Sequence, residues 1–150
     1  MEKIQSFQVD HTVLEPGIYV SRTDADVTTY DLRTRKPNAG DYMDHATMHS
    51  LEHMFATYVR NSEIADDILY FGPMGCQTGF YLLVRNADNN KVLEVVCEIL
   101  EGIKNHDGGM FGCSEVECGN YRNLSVDLAK AEASMYFDVL KNKVNDFIYA

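Results

Sequence analysis

The sequence predicts an α+β fold: a mostly antiparallel sheet with helices packed against it, forming a single domain over residues 1–150. Three observations carry that prediction. Short segments of alternating polarity occur in two pairs, and three longer segments carry apolar residues at spacings of three and four. The members of each strand pair lie too close together in sequence for a parallel crossover, which needs a dozen or more residues. A chain of 150 residues with 45% apolar and 24% charged composition suits one core without cross-links.

Ile18 to Arg22 and Val27 to Arg33 are the first two strands; Val27, Thr29 and Asp31 alternate with Thr28, Tyr30 and Leu32. Residues 35–42, with Pro37-Asn38-Ala39-Gly40, form a loop. From Asp44 the period changes: Met48, Leu51, Phe55, Tyr58 and Val59 define an amphipathic helix, with Asp44 as its cap. Ile68 to Phe71 and Gly79 to Arg85 are strands around the turn Gly72-Pro73-Met74-Gly75. Val92, Val96, Ile99 and Ile103 mark a second helix, stopped by Gly108-Gly109. A third runs from about Ser125, with Leu128, Ala131, Met135 and Val139 on its apolar side.

Composition excludes several functions. Asp and Glu number 23 against 13 Lys and Arg, a net charge of −10, so neither nucleic-acid phosphate nor an anionic membrane is an expected partner. The longest apolar run, Phe80 to Val84, falls far short of the ~20 residues that span a bilayer. The start, Met1-Glu2-Lys3-Ile4-Gln5, lacks a basic region and an apolar core, and a cytoplasmic address is expected. In a reducing compartment the cysteines at 76, 97, 113 and 118 suggest thiol chemistry or metal binding before disulfides.

The chemistry centres on His49-Ser50-Leu51-Glu52-His53, inside the first helix. At 100° per residue the two histidines stand about 40° apart around the axis, so both imidazoles can grip one ion. Glu52 flanks them as a carboxylate free to move protons, the arrangement of an inverted zincin motif. The alternative is a solvated helix face that happens to carry two histidines. A metal site needs a third ligand, and an open fourth position makes it catalytic. Cys113, Cys118, Glu115 and Glu117 are the candidates. Cys118 precedes Gly119, which leaves backbone room for an ion; otherwise it is a small buried hydrophobe. Cys97 shares a helix side with Leu93 and Leu100 and belongs to the core. Cys76 sits in Pro73-Met74-Gly75-Cys76-Gln77-Thr78-Gly79, a turn that presents side chains at a rim, where a thiol either serves as acid and base or is inert.

The combination of His49-x-x-Glu52-His53, Gly72-Pro73-Met74-Gly75-Cys76-Gln77-Thr78-Gly79-Phe80-Tyr81 and Glu117-Cys118-Gly119 closely resembles the S-ribosylhomocysteine lyase family. Ser6-Phe7-x-Val9-Asp10-His11-Thr12 and Tyr30-Asp31-Leu32-Arg33-x-x-x-Pro37-Asn38 add to the likeness, which covers essentially the whole chain. The resemblance implies a metal-dependent homodimer whose two active sites lie at the subunit interface and use residues of both chains. It implies cleavage of the thioether of S-ribosylhomocysteine to homocysteine and 4,5-dihydroxy-2,3-pentanedione, the autoinducer-2 precursor, in signalling or in recycling of methyl-cycle waste. His49, His53 and Cys118 would be the metal ligands, Glu52 and Cys76 the acid–base pair. Ser6, His11, Arg33 and Arg60 would line or support the substrate pocket. The implied metal is Fe(II) in cells, with Zn(II) and Co(II) permitted by the donors.

That chemistry demands such residues. A thioether sulfur without an activating neighbour is not hydrolysed; the sugar carbonyl must migrate from C1 to C3 before homocysteine leaves C5 by β-elimination. Each migration needs proton transfer at carbon and a cation to stabilise enediolate charge. Two positions depart from the family pattern: Tyr70, where relatives often carry a carboxylate, and Leu124, where a histidine is common. Two rival readings remain at this stage. One is a metallohydrolase with Glu115 or Glu117 as third ligand. The other is a closed structural site in which Cys113 joins Cys118 and the two histidines.

Overall fold

Antiparallel pairing builds the sheet. The computed structural model describes residues 1–150. Strand β1 (Gly17–Asp24) turns at Ala25-Asp26 into β2 (Val27–Arg33), and β3 (Ile68–Pro73) and β4 (Gly79–Arg85) form a second hairpin. The β4 strand lies against β2, giving the order β1-β2-β4-β3 with every neighbour antiparallel. The predicted strand pairs are therefore present, and Pro73, expected in the turn, closes β3 instead. As β3 is an edge strand, the missing proline N–H leaves no ladder bond unmade.

Helices α1 (His45–Val59), α2 (Asn89–Lys104) and α3 (Val126–Lys141) supply most of a core of 25 buried residues, which Ile18, Tyr30, Leu32, Phe80 and Leu82 among others enter from the sheet. Phe55 of α1 stacks on Phe71 with ring centroids 4.3 Å apart, and Phe71 on Phe80 at 5.0 Å. Such pairs contribute about 0.5–1.5 kcal/mol each beyond their burial, so α1 is held firmly against the hairpin that leads to Cys76.

All three helices begin at side-chain caps: Asp44 accepts from Thr47 N–H, Asp88 from Lys91 N–H and Ser125 from Leu128 N–H. The cap expected at Asp44 is thus present. Replacing Asp44 with alanine strands a backbone donor at the start of α1; a thermal melt should show a loss of roughly 1 kcal/mol, a few degrees in Tm for a chain of this size.

Two expectations need correction. Helix α2 stops at Lys104, capped by Asn105, four residues before the glycines expected to stop it. The buried face of α3 is Ala129, Glu132, Ala133, Tyr136 and Leu140, whereas Ala131 and Met135 are exposed. The face is turned by about one residue because it carries a charge that hydropathy places outside. Glu132 accepts from Arg35 Nε at 3.0 Å and Nη2 at 2.5 Å, a paired fork that makes its burial tolerable.

Candidate metal and thiol sites

Helix α1 aims His49 and His53 outward on one flank, and the loop between α2 and α3 folds over them. His49 Nε2 lies 3.4 Å from Cys118 Sγ. One ligand atom from each of His49, His53 and Cys118 falls within 4.8 Å of the others, and all three residues are half-buried. The imidazoles are oriented from behind. His49 Nδ1–H donates to Asn123 Oδ1 at 2.6 Å, and Asn123 Nδ2 donates on to His45 Nδ1 at 2.6 Å. His53 Nδ1–H donates to the Phe111 carbonyl at 2.9 Å. A carbonyl only accepts, so each proton sits on Nδ1 and each Nε2 lone pair is left for an ion. Two imidazoles and a sulfur make a borderline-soft donor set that fits zinc, cobalt or ferrous iron.

The loop is shaped for this approach. Gly112 has φ +62°, and a Cβ there would stand 3.1 Å from His53 Nδ1, so a side chain would be strained and would crowd the ring. His106 braces the same loop, sharing a hydrogen bond of 2.8 Å with Tyr58 and packing edge-on to Phe111. Asn120 N–H donates to Cys118 Sγ at 3.4 Å. Ser50, fully buried within the motif, accepts from Ser125 N–H at 2.8 Å and ties the start of α3 to α1. Glu52 lines a cleft beside His53, Phe71 and Phe111.

The rival ligands point elsewhere. Cys113 is exposed and faces the Tyr121 carbonyl, 3.7 Å away; Glu117 accepts from Ser114 Oγ at 2.6 Å; Glu115 is exposed. None joins the cluster, so it offers three protein ligands and not four. Cys97 is buried in the core, where desolvation pushes its thiol up, as its helix position predicted.

Cys76 occupies a second place. It lies in the β3–β4 turn, where Gln77 takes φ +64° and Gly79 passes so close that a Cβ would sit 2.7 Å from the Leu32 carbonyl. The thiol is exposed in a cleft of about 370 Å³ shared with Ser6, Phe7, His11, Arg33 and Tyr81. His11 Nδ1–H donates to the Val9 carbonyl at 2.9 Å, leaving Nε2 as an acceptor. Arg33 is buried with Asp31. Desolvation works against its charge, but the charge and hydrogen bonds of Asp31 outweigh that and hold the guanidinium above its ordinary value. Thr78 Oγ1 lies 3.0 Å from Cys76 Sγ and accepts from Arg33 Nη1 at 2.8 Å. Burial raises the Tyr81 phenol, with Asp31 adding to the effect.

Four of the expected residues (Ser6, His11, Arg33 and Cys76) therefore meet in one cleft, while His49, His53 and Cys118 converge in a separate cluster beside a second cleft lined by Glu52 and His53; the two clefts share no lining residue. Arg60 lines neither: it caps the end of α1 and donates to the Leu69 carbonyl at 3.3 Å. Tyr70 is half-exposed on the edge strand. Sequence reasoning missed Asn123, Thr78 and the Asp31 partner of Arg33. Only Asp31 carried a local signal, an acid two residues before an arginine on one strand face.

Fold and donors together define a small α+β protein with a three-ligand cluster that fits a divalent metal. Its kinship is closer than that class. The family model described as S-Ribosylhomocysteinase (LuxS) matches residues 4–146. The chain is 43% identical over 148 residues to the S-ribosylhomocysteine lyase of Borreliella afzelii, covering 95% of this chain and 94% of the relative. It is 41% identical to that of Finegoldia magna, covering 99% of both, and 45% identical to that of Desulfotalea psychrophila, covering 95% and 94%. The chain belongs to the S-ribosylhomocysteinase (LuxS) family.

Proposed function

We propose that this protein is a metal-dependent carbon–sulfur lyase that splits S-ribosylhomocysteine into homocysteine and 4,5-dihydroxy-2,3-pentanedione. The observation that carries the reading is the convergence of His49, His53 and Cys118, three ligands and no fourth, in a chain of this family. A divalent ion held there supplies electrophilic stabilisation for negative charge developing on the sugar oxygens. Fe(II) is the proposed ion in cells, and Zn(II) or Co(II) suit the same donors.

The chain's own residues do the rest. Arg33 and Ser6 bind the polar substrate, and His11 offers its free Nε2 as a hydrogen-bond acceptor. Cys76 and Glu52 move protons: one group removes hydrogen from a sugar carbon while the other returns one to the neighbouring position, and the carbonyl advances from C1 to C2 and then to C3. Loss of the C4 proton then breaks the C5–sulfur bond. The electron pair leaves with homocysteine, which takes up a proton, and the five-carbon product tautomerises to the dione. Arg60 supports the pocket indirectly by holding the Leu69 carbonyl.

Two clefts that share no residue must be brought together for this chemistry, and a second copy of the chain does so. We infer a homodimer whose sites each take the thiol cleft of one protomer and the imidazole cleft of the other. Exposed Ile4 and Phe7 beside the thiol cleft and Leu69 and Tyr70 on β3 supply apolar surface for it. No helix is long and apolar enough to cross a membrane. Four free thiols suit the reducing cytoplasm, where we place the enzyme.

The test is release of free thiol from S-ribosylhomocysteine, followed with a chromogenic disulfide. Metal-loaded protein should release one homocysteine per substrate consumed, and prior chelation should stop it. Loaded protein that releases none sinks the proposal.

A further inference from the structure

From the far edge of the sheet the C-terminal segment reaches Asp31, the buried partner of Arg33. Phe147 pairs with Tyr19 in a parallel bridge, and Val20 N–H donates to its carbonyl at 2.9 Å, so the end of the chain runs along the free side of β1. Residues 147 and 149 then go different ways. Phe147 enters the core, edge-on to Tyr30. Tyr149 stacks on Tyr19 with centroids 5.0 Å apart, and its O–H donates to Asp31 Oδ2 at 2.7 Å.

Asp31 and Arg33 are 1% and 3% exposed. Arg33 donates to Asp31 through Nε at 3.1 Å and Nη2 at 2.7 Å, which leaves Nη1 for Thr78 Oγ1 and stands it 3.8 Å from Cys76 Sγ. With one lone pair of Thr78 occupied by that N–H, its own hydroxyl hydrogen is free to turn toward the sulfur, 3.0 Å away. Hydrogen bonds thus run without a break from Tyr149 through Asp31, Arg33 and Thr78 to Cys76.

The phenol has a definite task in that chain. A buried carboxylate with an unfilled lone pair is costly, and a charge-assisted O–H donor fills one that the arginine fork leaves open. Burial and the charge of Asp31 hold the Tyr149 phenol far above its ordinary value, so it stays protonated and remains a donor.

We propose that Tyr149 is a positioning residue for the thiol cleft: it fixes Asp31, Asp31 fixes the Arg33 fork, and the fork presents Nη1 to Thr78 and Cys76. This rests on the roles proposed above for Arg33 and Cys76. Tyr149 touches neither substrate nor thiol.

The experiment compares Tyr149→Phe and Tyr149→Ala with the unaltered, metal-loaded enzyme by two measurements. Steady-state kinetics should give a KM raised about three-fold for the phenylalanine variant and about ten-fold for the alanine variant, with kcat within two-fold. Alkylation of Cys76 by iodoacetamide at fixed pH, read by peptide mass spectrometry, should slow by about two-fold or more as the cation and hydroxyl drift from the sulfur. The phenylalanine variant keeps the ring stack and isolates the hydroxyl if the alanine variant fails to fold. Unchanged KM and unchanged alkylation in a variant whose melting temperature has dropped overturn the proposal, because a merely structural tail predicts that result. If the unaltered enzyme does not turn over the substrate, the proposed function fails, and the alkylation rates still decide the role of Tyr149.

Discussion

Replacing Cys76 with alanine is expected to lower homocysteine release by a factor of about 10²–10⁴, the usual contribution of a positioned acid or base, with metal content unchanged. The thiol is exposed, so its loss leaves no core cavity, and the melting temperature should barely move. It belongs to the turn after β3 and lies outside the His49, His53 and Cys118 cluster, so metal uptake has no reason to respond. Arg33 and Thr78 lose a neighbour but keep each other at 2.8 Å. Thiol release and elemental analysis on the same preparation decide the matter. Near-normal turnover in the variant removes Cys76 from proton transfer, whereas a parallel loss of metal and turnover would mean that the turn supports the metal cluster.

Local patterns were legible in the sequence and distant pairings were not. His49 and His53 share a flank because helical periodicity fixes their relation within four residues, and the Asp44 cap follows from equally local rules. The antiparallel strand pairs were readable from alternation and short connections. Cys118 lies 69 residues from His49; Gly119 beside it is its one local mark, and the likeness to a family is what separates it from Cys113, Glu115 and Glu117. The Asn123 carbonyl oxygen behind His49 left no signal, because any side-chain amide in any loop has the same composition. The register of α3 was misread for an energetic reason: hydropathy assigns Glu132 to solvent, but the Arg35 fork, 97 residues away, compensates its burial. Hydropathy alone turns Ala131 and Met135 inward in its stead. Pairing of Phe147 with Tyr19 joins opposite ends of the chain, and nothing periodic in so short a tail marks it as a strand.

Exchange of His53 for alanine should remove metal and activity together. The imidazole is one of only three donors proposed to hold the ion, and even partners behind metal ligands are typically worth 10–100-fold in affinity, so its loss should weaken binding by at least about 100-fold. The ring is only half-buried, and its bond to the Phe111 carbonyl ends a loop that His106 and Tyr58 also brace. Circular dichroism should therefore report an intact fold around an empty cluster. Combining this variant with Cys76→Ala tests how the clefts are shared. If each site takes its thiol from one protomer and its imidazoles from the other, a mixed dimer holds one doubly damaged site and one undamaged site. Random reassortment makes half of the dimers mixed, so activity should return to roughly a quarter of the unaltered level from two preparations that are separately inactive. Native mass spectrometry confirms that mixed dimers have formed. Their presence without any recovered turnover would show that thiol and metal ligands serve the same protomer, and the two clefts would then have to meet by a movement within one chain.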